Sequence, residues 1–254
     1  MAGALNGLKV LDCTHVIAGA WCSLMLADLG ADVIKIESPE GEQTRGRPDS
    51  AFKPFDFVNR NKRAIALDVT RPEGAAIVRR LAETADVFVE NYRVGAMARN
   101  GLGYEDIRKV RPDIIYCSIS GFGQTGPYRD RGGFDLITQA MSGIMSFTGE
   151  IGSKAPVAAG VPVSDLNAGL FGALSILAAL NHRSKTGEGQ YVETSLFESA
   201  LAYTVWETGK HLTTGEVAVP AGSRHRLAAP YEALRTKDGF IVVGVNSQRL
   251  WERF

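Results

Sequence analysis

Two stretches carry residue types that can do chemistry. The first, residues 160–189, reads GVPVSDLNAGLFGALSILAALNHRSKTGEG, and one carboxylate, Asp165, stands just before thirteen apolar or small residues from Ala168 to Leu180. Leu166, Leu170, Leu174 and Leu177 recur behind it at roughly helical spacing, so Asp165 is placed like a helix N-cap. A helix start also favours the ionised form of a carboxyl group. The second stretch is GFGQTGPYRDRGG, Gly121 to Gly133, with five glycines, a proline and two arginines. It follows an expected strand and precedes an expected helix, a setting where backbone N–H groups and arginine side chains hold anions. On residue types alone, both stretches also fit plain roles, a capped core helix and a solvated loop.

The composition narrows the classes of protein that could use them. With 254 residues and 45% hydrophobic content, the chain suffices for one large domain or one and a half. Lysine plus arginine equals aspartate plus glutamate at 28 each, which gives no global field toward nucleic acid or an anionic membrane. Cys13, Cys22 and Cys117 are odd in number and not spaced as metal ligands or a disulfide framework, which suits a reducing cytoplasm. No signal-peptide pattern opens the chain, and the run from Ala168 to Leu180 is shorter than the roughly 20 apolar residues that span a bilayer. A soluble cytoplasmic protein is the expectation, with no repeat or low-complexity segment.

The elements that must position these residues alternate. Strands are expected at Leu8–Cys13, Ala31–Glu37, Arg63–Val69, Asp86–Asn91, Ile114–Ser120 and in GQYVETSL, with helical patterns between most of them. That alternation predicts an α/β fold, a Rossmann-like doubly wound parallel sheet. The first β-to-α junction holds Thr14, His15, Val16, Ile17 and Ala18 in place of G-x-G-x-x-G, so no dinucleotide fingerprint is present, although open parallel sheets bind ligands at these strand ends. The polar segment from Ser38 to Pro54 is long for an unstructured connection and reads as a binding loop or a flexible excursion. FDLITQAMSGIM is expected as one helix. Residues 1–218 form the large domain, and 219–254 a linker and the start of a second, smaller α+β domain opening with a hairpin in YEALRTKDGFIVVGV. That piece is too short for its own core, so the chain reads as truncated.

Six stretches in order, LKVLDCTHVIAGAWCSLMLADLGADVIKIE, NKRAIALDV, ADVFVENYRVGAMARNGL, SGFGQTGPYRDRGGFDLITQAMSG, VPVSDLNAGLFGALSILAAL and KTGEGQYVETSLFES, resemble the class III CoA-transferase family. That family includes formyl-CoA transferase, carnitine CoA-transferase and, as a divergent branch, α-methylacyl-CoA racemase. The resemblance implies that Asp165 is the catalytic nucleophile, passing through a mixed anhydride and an aspartyl-CoA thioester. It implies CoA contacts at His15, Ile17, Ala18, Leu67, Asn91, Tyr92, Arg93 and Arg99, with coenzyme A or acyl-CoA as substrate and no permanently bound cofactor or metal. Arg99 suits a phosphate because guanidinium matches its geometry. His15 is alternatively a general base or a structural histidine. Longer family members form interlocked ring-like homodimers, and the expected partners are acyl-CoA and carboxylic acids, with neither nucleic acid nor membrane.

Three departures refine the resemblance. The racemase branch has a histidine before an aspartate where this chain has Phe134 and Asp135, which removes an acid/base group for α-proton exchange. The formyl-CoA branch has a glutamine at Ile17 and a glycine-rich shielding loop where this chain reads SRHRLAAPYEAL. CoA transfer to a carboxylic acid other than oxalate or formate is favoured, with 2-methylacyl-CoA racemisation or an inactive CoA-binding fragment as alternatives. Asp135 either assists catalysis or caps the helix that follows it.

Overall fold

A computed structural model describes residues 3–46 and 49–254; Arg47 and Pro48, inside the expected loop from Ser38 to Pro54, lie outside the described residues. The chain begins β1 (Lys9–Cys13), α1 (Ala18–Asp28), β2 (Asp32–Glu37), α2 (Pro54–Asn59), β3 (Lys62–Ala66), α3 (Pro72–Ala82) and β4 (Val87–Glu90). It continues through α4 (Ala96–Arg99), α5 (Tyr104–Val110), β5 (Ile115–Ser120), α6 (Asp135–Met141), α7 (Ile144–Phe147), α8 (Val163–Thr186) and β6 (Gln190–Ser195). After α9 (Leu196–Leu201) and α10 (Val205–Thr214) comes an antiparallel pair, β7 (Tyr231–Arg235) and β8 (Phe240–Gly244), then α11 (Gln248–Trp251).

The first six strands form one parallel sheet in the order β3-β2-β1-β4-β5-β6. Aliphatic residues at successive positions explain this: Val10 enters the core on one face and Leu11 the core on the other, so the central strands are buried on both sides. The α1–α8 layer covers the first face, with Cys22, Leu26, Ala168 and Ile176 packed over Val87, Ile115 and Ile119. Val78 of α3 and Ile107 of α5 cover the second, over Phe88 and Tyr116, whose rings stack 4.9 Å apart. The strand order reverses between β1 and β4, and a doubly wound sheet opens a crevice at the carboxyl ends of such a pair.

Three expectations change. The 24 residues of α8 suffice in length and apolarity to cross a membrane, unlike the shorter run read from sequence, but α8 packs chiefly on α1 and α9 and on β5 and β6. Its buried face is not the leucine stripe: Leu170 and Leu174 are 49% and 60% exposed, while Ala168, Gly169, Gly172, Ala173 and Ala179 are buried. Small residues face inward because α1 approaches so closely; a Cβ on Gly169 would stand 2.5 Å from the Ala18 carbonyl oxygen. The helix expected in FDLITQAMSGIM is broken into α6 and α7 at Gly143, whose φ of 89° no helix accommodates.

Candidate active site

A cleft of about 520 Å³ opens where the sheet order reverses, lined by residues that follow β1, β4 and β5 and by the start of α8. His15, Ile17, Ala18, Asn91, Tyr92, Arg93, Arg99 and Asp165 all line it, although they are spread over 150 positions of sequence. Leu67 does not. The third strand ends at Ala66, one residue short of it, and an Asp68–Thr70 turn bends the chain away, with the Thr70 N–H donating to Asp68 Oδ1 at 3.0 Å. Leu67 packs instead against the core beneath α3 and α5.

The turn after β1 is held from below by buried charge. Val16 adopts φ 61°, a left-handed conformation that a β-branched residue reaches only under constraint. Asn91 supplies part of that constraint: its amide accepts from the His15 N–H at 2.9 Å and donates to the His15 carbonyl at 2.8 Å. Glu42, from the segment read as a binding loop or a flexible excursion, accepts from the Val16 N–H at 2.7 Å. Lys35, 1% exposed, donates to the Thr14 carbonyl and pairs with Glu42, both at 2.7 Å. Lys62 donates to Asp12, the Ala20 carbonyl and Asn59 at 2.8–2.9 Å, while Asp12 accepts from the Thr14 N–H at 2.9 Å and the Ser23 hydroxyl at 2.7 Å. Burial pushes the Asp12 pKa up, but Lys62 and Lys35 overcome it and hold the carboxyl below its ordinary value. Sequence reasoning missed these four charged residues. The available signal was a lysine inside DVIKIE, a strand whose aliphatic neighbours mark both faces as buried.

Burial also keeps the His15 imidazole below its ordinary pKa, so it is neutral at pH 7, with its ring edge-on to Tyr92 at 5.0 Å. Desolvation raises the Tyr92 hydroxyl to about 12. Beneath Tyr92, Glu90 accepts from the Tyr92 N–H at 2.8 Å and from the Ser118 hydroxyl, and burial raises its pKa to about 7.

The glycine-rich loop is closed at its neck, where the Cα atoms of Gly121 and Gly133 meet so tightly that a Cβ on Gly121 would stand 2.5 Å from Gly133. Ser120 accepts from the Gly123 N–H at 3.0 Å, and Gln124 donates to Ser118 at 2.7 Å, so the loop is fastened to the end of β5. Arg129, Arg131, Gly132 and Gly133 reach the cleft from it. Phe134, 69% exposed, follows at the cleft wall.

Asp165 is the third residue of α8 and does not cap it; Pro162 holds the cap position and offers no side-chain acceptor. The acceptor comes from α6, where Asp135 Oδ1 accepts from the Ser164 N–H at 2.8 Å and Oδ2 from Gln139 Nε2 at 2.6 Å. Asp135 therefore caps α8 rather than its own helix. This leaves Asp165 without a hydrogen-bond partner among the described residues and free to face the cleft. Burial first, and the charge of Asp135 second, raise its pKa to about 7, opposite to the ionising effect expected of a helix start. Gly169, one turn later, seats α8 against the Ala18 carbonyl and sets Asp165 beside the β1 turn. Among the described residues no three His, Cys, Asp or Glu side chains gather as metal ligands.

The fold is thus a doubly wound α/β sheet whose switch-point cleft is faced by a partly buried, unpartnered carboxylate. The chain belongs to the CoA-transferase family III, whose family model matches residues 5–254. It is 42% identical over 98% of its length to a succinate–glutarate CoA-transferase of Agrobacterium fabrum, and 44% identical over 96% to a succinyl-CoA:glutarate CoA-transferase of Mus musculus. It covers 65% and 57% of those two proteins, so it spans about three fifths of their length. A CaiB/BaiF family crystal structure from Brucella suis superposes with a TM-score of 0.90 and 38% identity, over all of this chain and 69% of that one.

Proposed function

We propose that this chain forms the CoA-binding and nucleophile-bearing part of an acyl-CoA:carboxylate CoA-transferase whose donor and acceptor acids are short dicarboxylates. The observation that carries the proposal is the Asp165 carboxylate, unpartnered at the start of α8 and opening on a cleft with the β1 and β4 turns. Family membership and the four- and five-carbon diacids in the names of its two relatives support the substrate class.

In this mechanism, Asp165 attacks the thioester carbonyl and expels CoA thiolate, leaving a mixed anhydride between Asp165 and the donor acid. The thiolate attacks the aspartyl carbonyl and releases the donor as its carboxylate, giving an aspartyl-CoA thioester. The acceptor carboxylate attacks that thioester, expels thiolate and forms a second anhydride. Thiolate then attacks the acceptor-derived carbonyl, producing the new acyl-CoA and restoring Asp165. No net proton is consumed, and every step needs CoA to stay in place. His15, Ile17 and Ala18, with Asn91, Tyr92, Arg93 and Arg99, are assigned to hold it, and the buried network under Thr14–Val16 keeps the first turn rigid while the sulfur moves between carbonyls. Phe134 cannot exchange a proton, which favours acyl transfer over racemisation.

The test is to incubate the protein with succinyl-CoA, quench with hydroxylamine and map the adduct. Modification at Asp165, together with loss of turnover in Asp165→Ala, is expected; an unmodified Asp165 or a fully active Asp165→Ala rejects the covalent route. Solvent deuterium entering Cα of a 2-methylacyl-CoA in the absence of an acceptor acid marks a racemase instead.

A further inference from the structure

Four arginines, Arg93, Arg99, Arg129 and Arg131, reach a cleft that also holds Asp135 and Asp165. Arg129 spends its charge on Asp130 at 3.6 Å. Arg131 has no ion pair and no side-chain hydrogen bond among the described residues, yet its position is fixed. Its guanidinium lies over the Tyr128 ring at 4.1 Å, Tyr128 packs edge-on to Phe122 at 5.7 Å, and Phe122 packs against Phe197 at 6.0 Å. With the loop neck closed at Gly121 and Gly133, this ladder presents a preorganised cation whose donors are all unspent. Arg131 is also tied to the reacting end of the cleft. Four residues later Asp135 holds the Ser164 N–H, and Asp165 is the next residue in the chain. Arg93, in contrast, shares the turn after β4 with Asn91 and Tyr92, and Arg99 ends α4.

We infer that Arg131 is a specificity-determining residue that binds the second carboxylate of a dicarboxylic acid, the one not joined to CoA, while the first reacts at Asp165. The inference rests on the transferase reading above. Guanidinium and carboxylate match as a two-pronged, charge-assisted pair, and a site built around an unpaired cation discriminates strongly against a substrate lacking the partner charge. Because donor and acceptor occupy the same place in turn, Arg131 acts on both succinyl-CoA and the acceptor acid. The other anion the transferase reading brings to the cleft is CoA phosphate, and free CoA carries phosphates but no carboxylate, so the two sources separate experimentally.

The experiment compares wild type with Arg131→Gln and Arg131→Lys. Rates are measured from butyryl-CoA to glutarate and from butyryl-CoA to butyrate or valerate, and free CoA affinity by calorimetry. Arg131 is exposed, so neither variant threatens folding. In Arg131→Gln, kcat/KM for glutarate should fall about 10- to 100-fold, the range for losing a charge-assisted pair, mainly through KM. Rates with monocarboxylates and CoA affinity should stay within about twofold, and Arg131→Lys should recover part of the glutarate loss because it keeps the charge. An equal fall for mono- and dicarboxylates, weakened CoA binding, or an unchanged glutarate rate each overturns the assignment. Wild type that transfers CoA to no acid even from succinyl-CoA rejects the transferase reading itself, a different outcome from any of these.

Discussion

Gly169→Ala isolates how the fold aims Asp165. The added Cβ would sit 2.5 Å from the Ala18 carbonyl oxygen, and since real Cβ atoms stay beyond about 3.0 Å, α8 must retreat from α1 by about 0.5 Å. Two stability effects then compete: overpacking costs about 1–3 kcal/mol, and replacing a helical glycine by alanine returns about 1 kcal/mol. The net loss is about 0–2 kcal/mol, a fall in Tm of a few degrees for a chain of this size. The chemical effect is larger. Asp165 is one turn from the contact, and misplacing a reacting group by about 1 Å costs on the order of 100-fold, so a shift of half that predicts roughly a 10-fold fall in kcat. The same substitution at Gly172 is the control. Its Cβ would meet only side-chain atoms, Ile119 Cδ1 at 3.1 Å and Cys22 Sγ at 3.2 Å, which can yield without moving the backbone. Turnover from succinyl-CoA to glutarate and thermal melts are measured on both variants. Gly169→Ala with wild-type kcat, or a loss of rate matched in Gly172→Ala, refutes the idea that this contact aims the nucleophile.

If Asp165 is the nucleophile as proposed, activity should rise with pH through about 7, because a carboxyl attacks only when ionised and its pKa is raised to that value. Asp135→Asn keeps an acceptor for the Ser164 N–H but removes a neighbouring charge, so it should move this limb to lower pH in a pH–rate profile; Glu90, also raised to about 7, owes nothing to Asp135 and leaves the shift unaffected. The sign for stability is opposite: the folded state holds the Asp165 proton more tightly than the unfolded chain, so the burden of burying the anion is absent below about pH 4 and complete above about pH 7, and Asp165→Asn should gain stability at pH 8 but not at pH 4 in denaturant melts. Lys35→Met strands Glu42 in the interior and should cost about 3–5 kcal/mol, whereas adding Glu42→Leu should recover part of it in a double-mutant cycle. Ile176→Ala, fully buried, should cost about 2–5 kcal/mol and Leu174→Ala, 60% exposed, under about 1 kcal/mol by chemical denaturation; equal costs would show the outer face of α8 to be covered in an assembly.

Much of this molecule was legible in the sequence because local pattern and chain order fix it. Alternating strands and patterned helices specified the parallel doubly wound sheet, and the carboxyl ends of its first strands were already marked as a place for a ligand, the end of β4 being added only by the family resemblance. The glycine-rich loop and Asp165 stood out by residue type alone. What the pattern could not decide was orientation. Leucines on one side of α8 and small residues on the other are both apolar, and only the closeness of α1 selects the small ones for burial. The capping of α8 by Asp135 lies 29 positions away in sequence, so no local rule separates Asp165 as a cap from Asp165 as an unpartnered group. Its raised pKa follows from burial and from the neighbouring Asp135, both products of packing. Lys35, Glu42, Lys62 and Asp12 read singly as ordinary strand and loop charges, and become one buried network only when β1, β2 and β3 stand side by side. Sequence determined which residues are present and which elements carry them; the tertiary structure decided which faces meet, because the dielectric and partners that give a carboxylate its chemistry exist only after the chain has folded.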